Sequence, residues 1–278
     1  MLEILKAILF GIIEGITEWL PISSTGHLII LDEVMPLLVT DEFKEMFNVV
    51  IQLGAILAVV LLYFHKLNPF APSKDARQKK RTWDLWIKVV IAVIPSAVIG
   101  LLLDDWMDAH LYNHVVVAIM LIVYGVAFIF VEKRNHGVAP KIKGVGGIDR
   151  RTAILIGCFQ CLALIPGTSR SGATILGAIF LGVSRGAAAE FSFFLAIPTM
   201  LGASALKLVG FIASGVPISS TEIWVLIVGC IVSFIVSVMV IKGLTEYVRK
   251  HNFSIFGLYR IALGLLVLAY YGITLIFT

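Results

Sequence analysis

Six apolar runs near the length needed to cross a bilayer, about 20 residues, fall at 46–64, 87–103, 115–131, 191–213, 223–241 and 255–277. Backbone groups in hydrocarbon find no water to bond, so runs of this kind fold as helices. They take up most of the chain and leave no room for a soluble domain, so residues 1–278 read as one membrane domain. Composition agrees: 59% of residues are hydrophobic and 14% charged, far from the quarter charged of soluble domains. The N-terminal stretch lacks a basic leader and a small-residue cleavage site, and it carries Glu14 and Glu18, so the first helix is expected to be kept. Cys158, Cys161 and Cys230 lie in apolar surroundings and make no disulfide framework; the CxxC they include reads as inert buried thiols. A net charge of +4 is modest, and no nucleic-acid partner is expected.

Where the charge falls says more than its sum. Lysines and arginines concentrate in 65–88, 132–151 and 242–251, which the positive-inside rule puts in the cytoplasm. Segments 32–45, 104–113 and 210–222 contain only Lys44 among basic residues and are expected outside. Stretch 152–183 then starts and ends on the cytoplasmic side, so it must turn back, breaking at PGTSRSG (166–172). Such a re-entrant helix-loop-helix is tolerated where protein or a wet cavity surrounds the break. Stretch 2–31 breaks alike at PISSTGH (21–27).

The two stretches open two copies of one unit. Laying Pro21 on Pro166 sets Ser23 and Ser24 opposite Thr168 and Ser169, and one inserted residue sets Glu14 opposite Gln160. Each copy has a hairpin and three crossings, an odd number, so the copies are expected in opposite orientations. The fold class expected is therefore an all-α polytopic membrane protein with six transmembrane helices and two re-entrant hairpins in an inverted-topology repeat. The repeats cover about 1–132 and 151–278, joined by the basic cytoplasmic loop 133–150, with both termini outside. The broken tips would meet near the bilayer midplane.

The tips carry the chemistry. Glu14 and Glu18 share a helix face at i and i+4. Each carboxylate would cost roughly 2.5–3.5 kcal/mol at the centre of a lipid-facing helix, so an interior cavity is the cheaper home, and intramembrane acids are functional candidates. Ser23, Ser24 and Thr25 fit the start of the returning helix as caps. A helix start also favours an anion, and Thr168, Ser169, Arg170 and Ser171 repeat the arrangement. Arg170 as a cap on carbonyls is the plainer reading, but guanidinium matches phosphate in a bidentate way. A hydroxyl nucleophile, a carboxylate base, a histidine acid (His27) and an arginine together make a phosphatase inventory. Two carboxylates beside a phosphate would repel it, so either one glutamate is protonated or a divalent cation bridges carboxylate and phosphate.

At these residues the chain resembles the bacterial undecaprenyl-diphosphate phosphatase family of the bacitracin-resistance type, over nearly its whole length. The family's (E/Q)xxxE falls on Glu14 and Glu18, its PxSSTGH on Pro21 to His27, and its PGxSRSG on Pro166 to Gly172. The resemblance implies hydrolysis of the C55 isoprenyl diphosphate lipid to its monophosphate within the bacterial inner membrane, at a site open to the periplasmic or outer side. It implies dependence on magnesium or calcium, with Glu14 and Glu18 as the metal ligands, contact with bilayer lipids, and leaves a homodimer open. Catalysis is expected from Ser24 as nucleophile, Glu18 as base or metal ligand, Glu14 as its partner, His27 as acid and Arg170 as clamp. Ser23, Thr25, Ser169, Ser171 and Thr174 are expected to bind substrate.

Inverted repeats with broken helices also suit a transporter or flippase of a prenyl phosphate lipid. The carboxylate–serine–histidine cluster favours hydrolysis, because a carrier gains little from it. Glu190 reads equally as a structural ion pair or a site residue, Gln52 as a helix–helix hydrogen bond. Arg260 has no partner visible in sequence and fits either snorkelling to the cytoplasmic edge or pairing inside.

Overall fold

The computed structural model describes residues 1–111 and 113–277, without the side chains of 104, 105, 108 and 274–277. The described residues form helices and no strand beyond one isolated bridge, Ile142 to Val183. In order these are α1 (Leu2–Thr17), α2 (Ser24–Val34), α3 (Asp41–Leu62), the single turn α4 (Phe64–Leu67), α5 (Ala76–Leu111) and α6 (His114–Arg134). After a loop come α7 (Arg150–Cys161), α8 (Arg170–Phe180), α9 (Arg185–Ser214), α10 (Ser220–Lys250) and α11 (Ser254–Phe277). Among the described residues six helices, α3, α5, α6, α9, α10 and α11, are long and apolar enough to cross a membrane. They coincide with the six apolar runs.

The other helices are shorter, and α1 and α2, like α7 and α8, follow each other across a break. An eleven-residue helix such as α2 or α8 spans only about 16 Å at about 1.5 Å per residue, roughly half a hydrocarbon core of about 30 Å. In each pair two short helices are separated by a break, at 18–23 and 162–169.

Helix ends differ from the sequence reading. The first half-helix stops at Thr17 and the chain turns through 18–22, a stretch that includes Pro21. The basic segments 65–88 and 242–251 are partly helical, since α5 starts at Ala76 and α10 runs to Lys250. Solvated charged residues continue a helix past the apolar run, and the capping box of Ser219 and Glu222 fixes the start of α10. Segment 104–113 is helical through Leu111, and its Tyr112 lies outside the described residues.

Exposed apolar stripes mark the outer surface. Ile223, Ile227, Ile231 and Ile235 recur every fourth residue on α10 and all are exposed, as are Val90, Ile94 and Val98 on α5. In water such patches drive association; in lipid they are the face a spanning helix presents. Inside, Phe191, Phe193 and Phe194 of α9 are fully buried at the centre of the bundle.

Small residues set the closest crossings. A Cβ on Gly11 would stand 2.7 Å from the Gly229 carbonyl oxygen, and one on Gly15 would stand 2.8 Å from that of Ser233, so α1 lies directly against α10. Gly157 of α7 meets the Ala92 backbone of α5 in the same way. Gly125 on α6 and Gly257 and Gly264 on α11 bring those two helices together.

Candidate active site

The two breaks end alike. Ser23 (φ 75°) and Ser169 (φ 73°) are the only non-glycine residues with positive φ among the described residues. Each caps the helix that follows, accepting a hydrogen bond from Gly26 N at 3.3 Å and from Gly172 N at 3.1 Å. The backbone therefore sets Ser23 opposite Ser169, not opposite Thr168. The prolines misled because Pro166 precedes its capping serine by one residue more than Pro21 does; Gly167, at φ 89°, takes up the difference. With the serines aligned, Gly11 and Gly157, Glu14 and Gln160, and Gly26 and Gly172 keep the same spacing, and no insertion is needed.

Between the breaks lies a buried polar cluster. Ser24 Oγ donates to Glu18 Oε2 at 2.6 Å, and Arg170 Nη2 donates to Glu18 Oε1 at 3.0 Å. One carboxylate thus joins a hydroxyl of the first break to a guanidinium of the second. Side chains of Arg170 and Glu18 are 9% and 5% exposed, so the pair is desolvated and removing either partner would leave a buried charge. Arg170 Nη1 donates to the Ser192 carbonyl at 2.6 Å, and its charge lies 5.8 Å from the centre of the Trp19 ring. Glu14, fully buried one turn before Glu18, lies within electrostatic reach of Glu18 and Arg170.

The hydroxyls divide into two groups. Ser171 Oγ donates to the carbonyls of Glu18 and Leu20, stitching one break to the other. Thr174 bonds the Arg170 carbonyl and the Ser192 hydroxyl, so it backs the arginine. Ser23 and Ser169 cap their helices, and Ser169 also meets Ser171 Oγ at 3.1 Å. Thr25 is half-buried, and no hydrogen bond to its hydroxyl is formed among the described residues.

His27 stands apart from this cluster. Its Nδ1 is 2.6 Å from the Ser23 carbonyl oxygen and its Nε2 is 2.7 Å from Tyr259 Oη; no hydrogen bond joins it to Ser24, Glu18 or Arg170.

Eight buried side-chain atoms have no hydrogen-bond partner among the described residues, and five belong to this region: both Glu14 oxygens, Trp19 Nε1, Thr168 Oγ1 and Arg170 Nε. Unpaired buried polar groups are costly and rare. Their gathering at two helix breaks is what a polar ligand would answer.

Residues 7–266 match the model of the bacitracin resistance protein BacA family. The chain belongs to that family. Proteins named undecaprenyl-diphosphatase are its relatives. The one from Enterococcus faecalis is 60% identical over 266 residues, 96% of each chain. That from Limosilactobacillus fermentum is 59% identical over 98% of this chain and 99% of its own, and that from Streptococcus thermophilus 56% identical over 100% and 96%. With its six apolar helices, this member of the family is a multi-pass membrane protein.

The residues fit the divalent ion that the family resemblance implies. Glu14 and Glu18 place two carboxyl groups side by side, and among the described residues no other group meets either Glu14 oxygen with a hydrogen bond. No group of three His, Cys, Asp or Glu forms a closed metal cage among the described residues. Two carboxylates with phosphate oxygens and water completing the shell is the arrangement magnesium commonly takes.

Sequence reasoning left Arg260 without a role, and the structure gives it one. It is fully buried on α11 and donates to Pro21 O at 3.1 Å in the first break and to Gly167 O at 2.7 Å and Thr168 O at 2.9 Å in the second. Carbonyls at a broken helix lack intrahelical donors, and a guanidinium fork answers three of them at once. Gly172 makes the room: a Cβ there would stand 3.1 Å from Arg260 Nη1. Glu190 pairs with Lys66 at 2.5 Å away from the cluster, and Gln52 is half-buried without a side-chain hydrogen bond among the described residues.

Proposed function

We propose that the protein hydrolyses undecaprenyl diphosphate to undecaprenyl phosphate and inorganic phosphate, renewing the lipid carrier for cell-wall synthesis. The carrying observation is the chain Ser24–Glu18–Arg170, in which one carboxylate holds a hydroxyl at 2.6 Å and an arginine at 3.0 Å. Ser24 Oγ passes its proton to Glu18 as it attacks the terminal phosphorus. The bond to the bridging oxygen breaks, undecaprenyl phosphate leaves, and water then releases phosphate from the serine. Arg170 holds Glu18 in place, and its unpaired Nε supplies a donor for a phosphate oxygen. His27 acts as the acid. Glu14 and Glu18 would hold a divalent cation, magnesium or calcium, which would supply charge neutralisation for a diphosphate beside two carboxylates.

The architecture in this reading is one membrane domain of two repeats, about 1–132 and 151–278, in opposite orientations, each opened by a re-entrant hairpin. The matched serine caps support it, as do the crossings α1 on α10 and α5 on α7, which exchange under the repeat. The site opens to the outer side of the inner membrane, and both termini lie outside.

The test uses purified protein in detergent with a long-chain prenyl diphosphate. Release of inorganic phosphate with added magnesium or calcium is expected. No release, together with movement of the lipid across proteoliposomes, would establish a carrier instead. Single-turnover release by Ser24→Ala at a near-normal rate would rule out the serine as nucleophile.

A further inference from the structure

A histidine used as an acid needs both ring nitrogens accounted for, and here each has one partner. The Ser23 carbonyl can only accept, so Nδ1 carries a hydrogen and donates to it at 2.6 Å. Nε2, bearing the lone pair, accepts from the Tyr259 phenol at 2.7 Å. The two ring planes are parallel to within 1°, with centroids 5.7 Å apart, and the phenol oxygen is the polar atom that meets Nε2.

The partner comes from far along the chain. His27 and Tyr259 are 232 positions apart, on α2 and α11. Next to Tyr259, Arg260 holds the Pro21 carbonyl two residues before Ser23. Adjacent side chains of α11 therefore steady both sides of the imidazole: one through the backbone that carries the Ser23 carbonyl, the other directly at Nε2.

We propose that Tyr259 is a positioning residue for the proposed reaction, fixing the orientation and tautomer of His27. This rests on the reading of His27 as the acid. A third group that orients a catalytic histidine is a recurring device. A phenol is suited to it because its oxygen both donates and accepts. With His27 neutral, Tyr259 O–H donates to Nε2; with His27 protonated, Nε2–H donates to Tyr259 Oη until it passes to the leaving bridging oxygen, which then replaces the phenol as its acceptor while Nδ1–H stays on the Ser23 carbonyl. Only the hydroxyl hydrogen turns. A carboxylate in this place would hold the imidazole charged, and a phenyl ring would leave Nε2 bare and the ring free to flip.

The plainer account of a half-exposed tyrosine in a membrane protein is interfacial anchoring. Exposed Trp83, Trp106 and Trp224 suit that account. Tyr259 differs because its polar end is turned to an imidazole of another helix.

The experiment is a double-mutant cycle in phosphate release, with Tyr259→Phe and His27→Gln made singly and together in the full-length protein. Tyr259→Phe removes one oxygen, and its detergent melting temperature is expected to match wild type. Its kcat is expected to fall about tenfold with KM within about twofold. In the His27→Gln background the second change is expected to cost nothing further. Nitrogen-15 spectra of histidine-labelled protein should show Nδ1 protonated and Nε2 unprotonated in wild type, with the tautomers mixed in Tyr259→Phe. A Tyr259→Phe enzyme with wild-type kcat and an unchanged His27 spectrum would overturn the proposal, as would effects that multiply in the double variant. Full activity of His27→Gln would instead overturn the acid reading beneath it, while the spectra would still report whether Tyr259 sets the tautomer.

Discussion

The two helix breaks share a backbone and differ in chemistry. Ser23 and Ser169 cap their helices at almost the same positive φ, followed three residues on by Gly26 and Gly172. Around that frame every reactive side chain has changed. Where the first break has Glu14, Glu18, Ser24 and His27, the second has Gln160, Leu164, Arg170 and Ala173. Gln160 donates to Ser96 at 2.6 Å and Thr199 at 3.3 Å and serves helix packing, whereas Glu14 in the same place meets no hydroxyl of a neighbouring helix among the described residues. A strained serine turn is thus an architectural device that the chain has twice. The acid and hydroxyl of the first break and the cation of the second meet in one hydrogen-bonded cluster, Ser24–Glu18–Arg170.

That division can be broken from either side. Glu18→Gln removes the group that both breaks share, and phosphate release should fall by about a thousandfold; a loss under about tenfold in the purified enzyme would mean the carboxylate does not act in the chemistry. Arg260→Lys tests the frame. A lysine cannot fork to Pro21, Gly167 and Thr168 together, so about 3 kcal/mol should be lost with two charged hydrogen bonds, read as a lower melting temperature in detergent. An unchanged melting temperature would show that the carbonyls find other donors. The mildest change is Gln160→Glu, which gives the second break the acid of the first. It should cost about 1–3 kcal/mol, because a carboxylate cannot supply the amide hydrogens that Ser96 and Thr199 accept, and leave phosphate release within about twofold. A large loss of activity there would place the second break's helix, and not only its tip, inside the site.

Much of the fold was legible because lipid imposes length and hydropathy on every spanning helix. Helix ends were not, since charged residues beyond the hydrocarbon remain helical, as at Ala76–Lys88 and Lys242–Lys250. The cluster of Ser24 and Glu18 was within reach of sequence reasoning because the two are six residues apart around one break. The register of the second break does not follow the prolines, because Pro166 stands three residues before its capping serine and Pro21 only two. The feature that repeats is a serine at positive φ, which no residue type announces. Arg260 and Tyr259 escaped for another reason. Arg260 bonds carbonyls, which every residue has, and Tyr259 pairs with a histidine at the far end of the chain. The GxxxG pair Gly11 and Gly15 was a readable signal of the α1–α10 contact.

The central claim is that both breaks act as one catalytic unit through the Glu18–Arg170 bond. It is tested most directly by the rates of phosphate release from a prenyl diphosphate by Glu18→Gln, Arg170→Gln and the double variant. Residues that work as a unit lose their effect once one is gone. The account predicts a double variant no more than about threefold slower than the slower single variant; losses that multiply in full would show two independent contributions and contradict it.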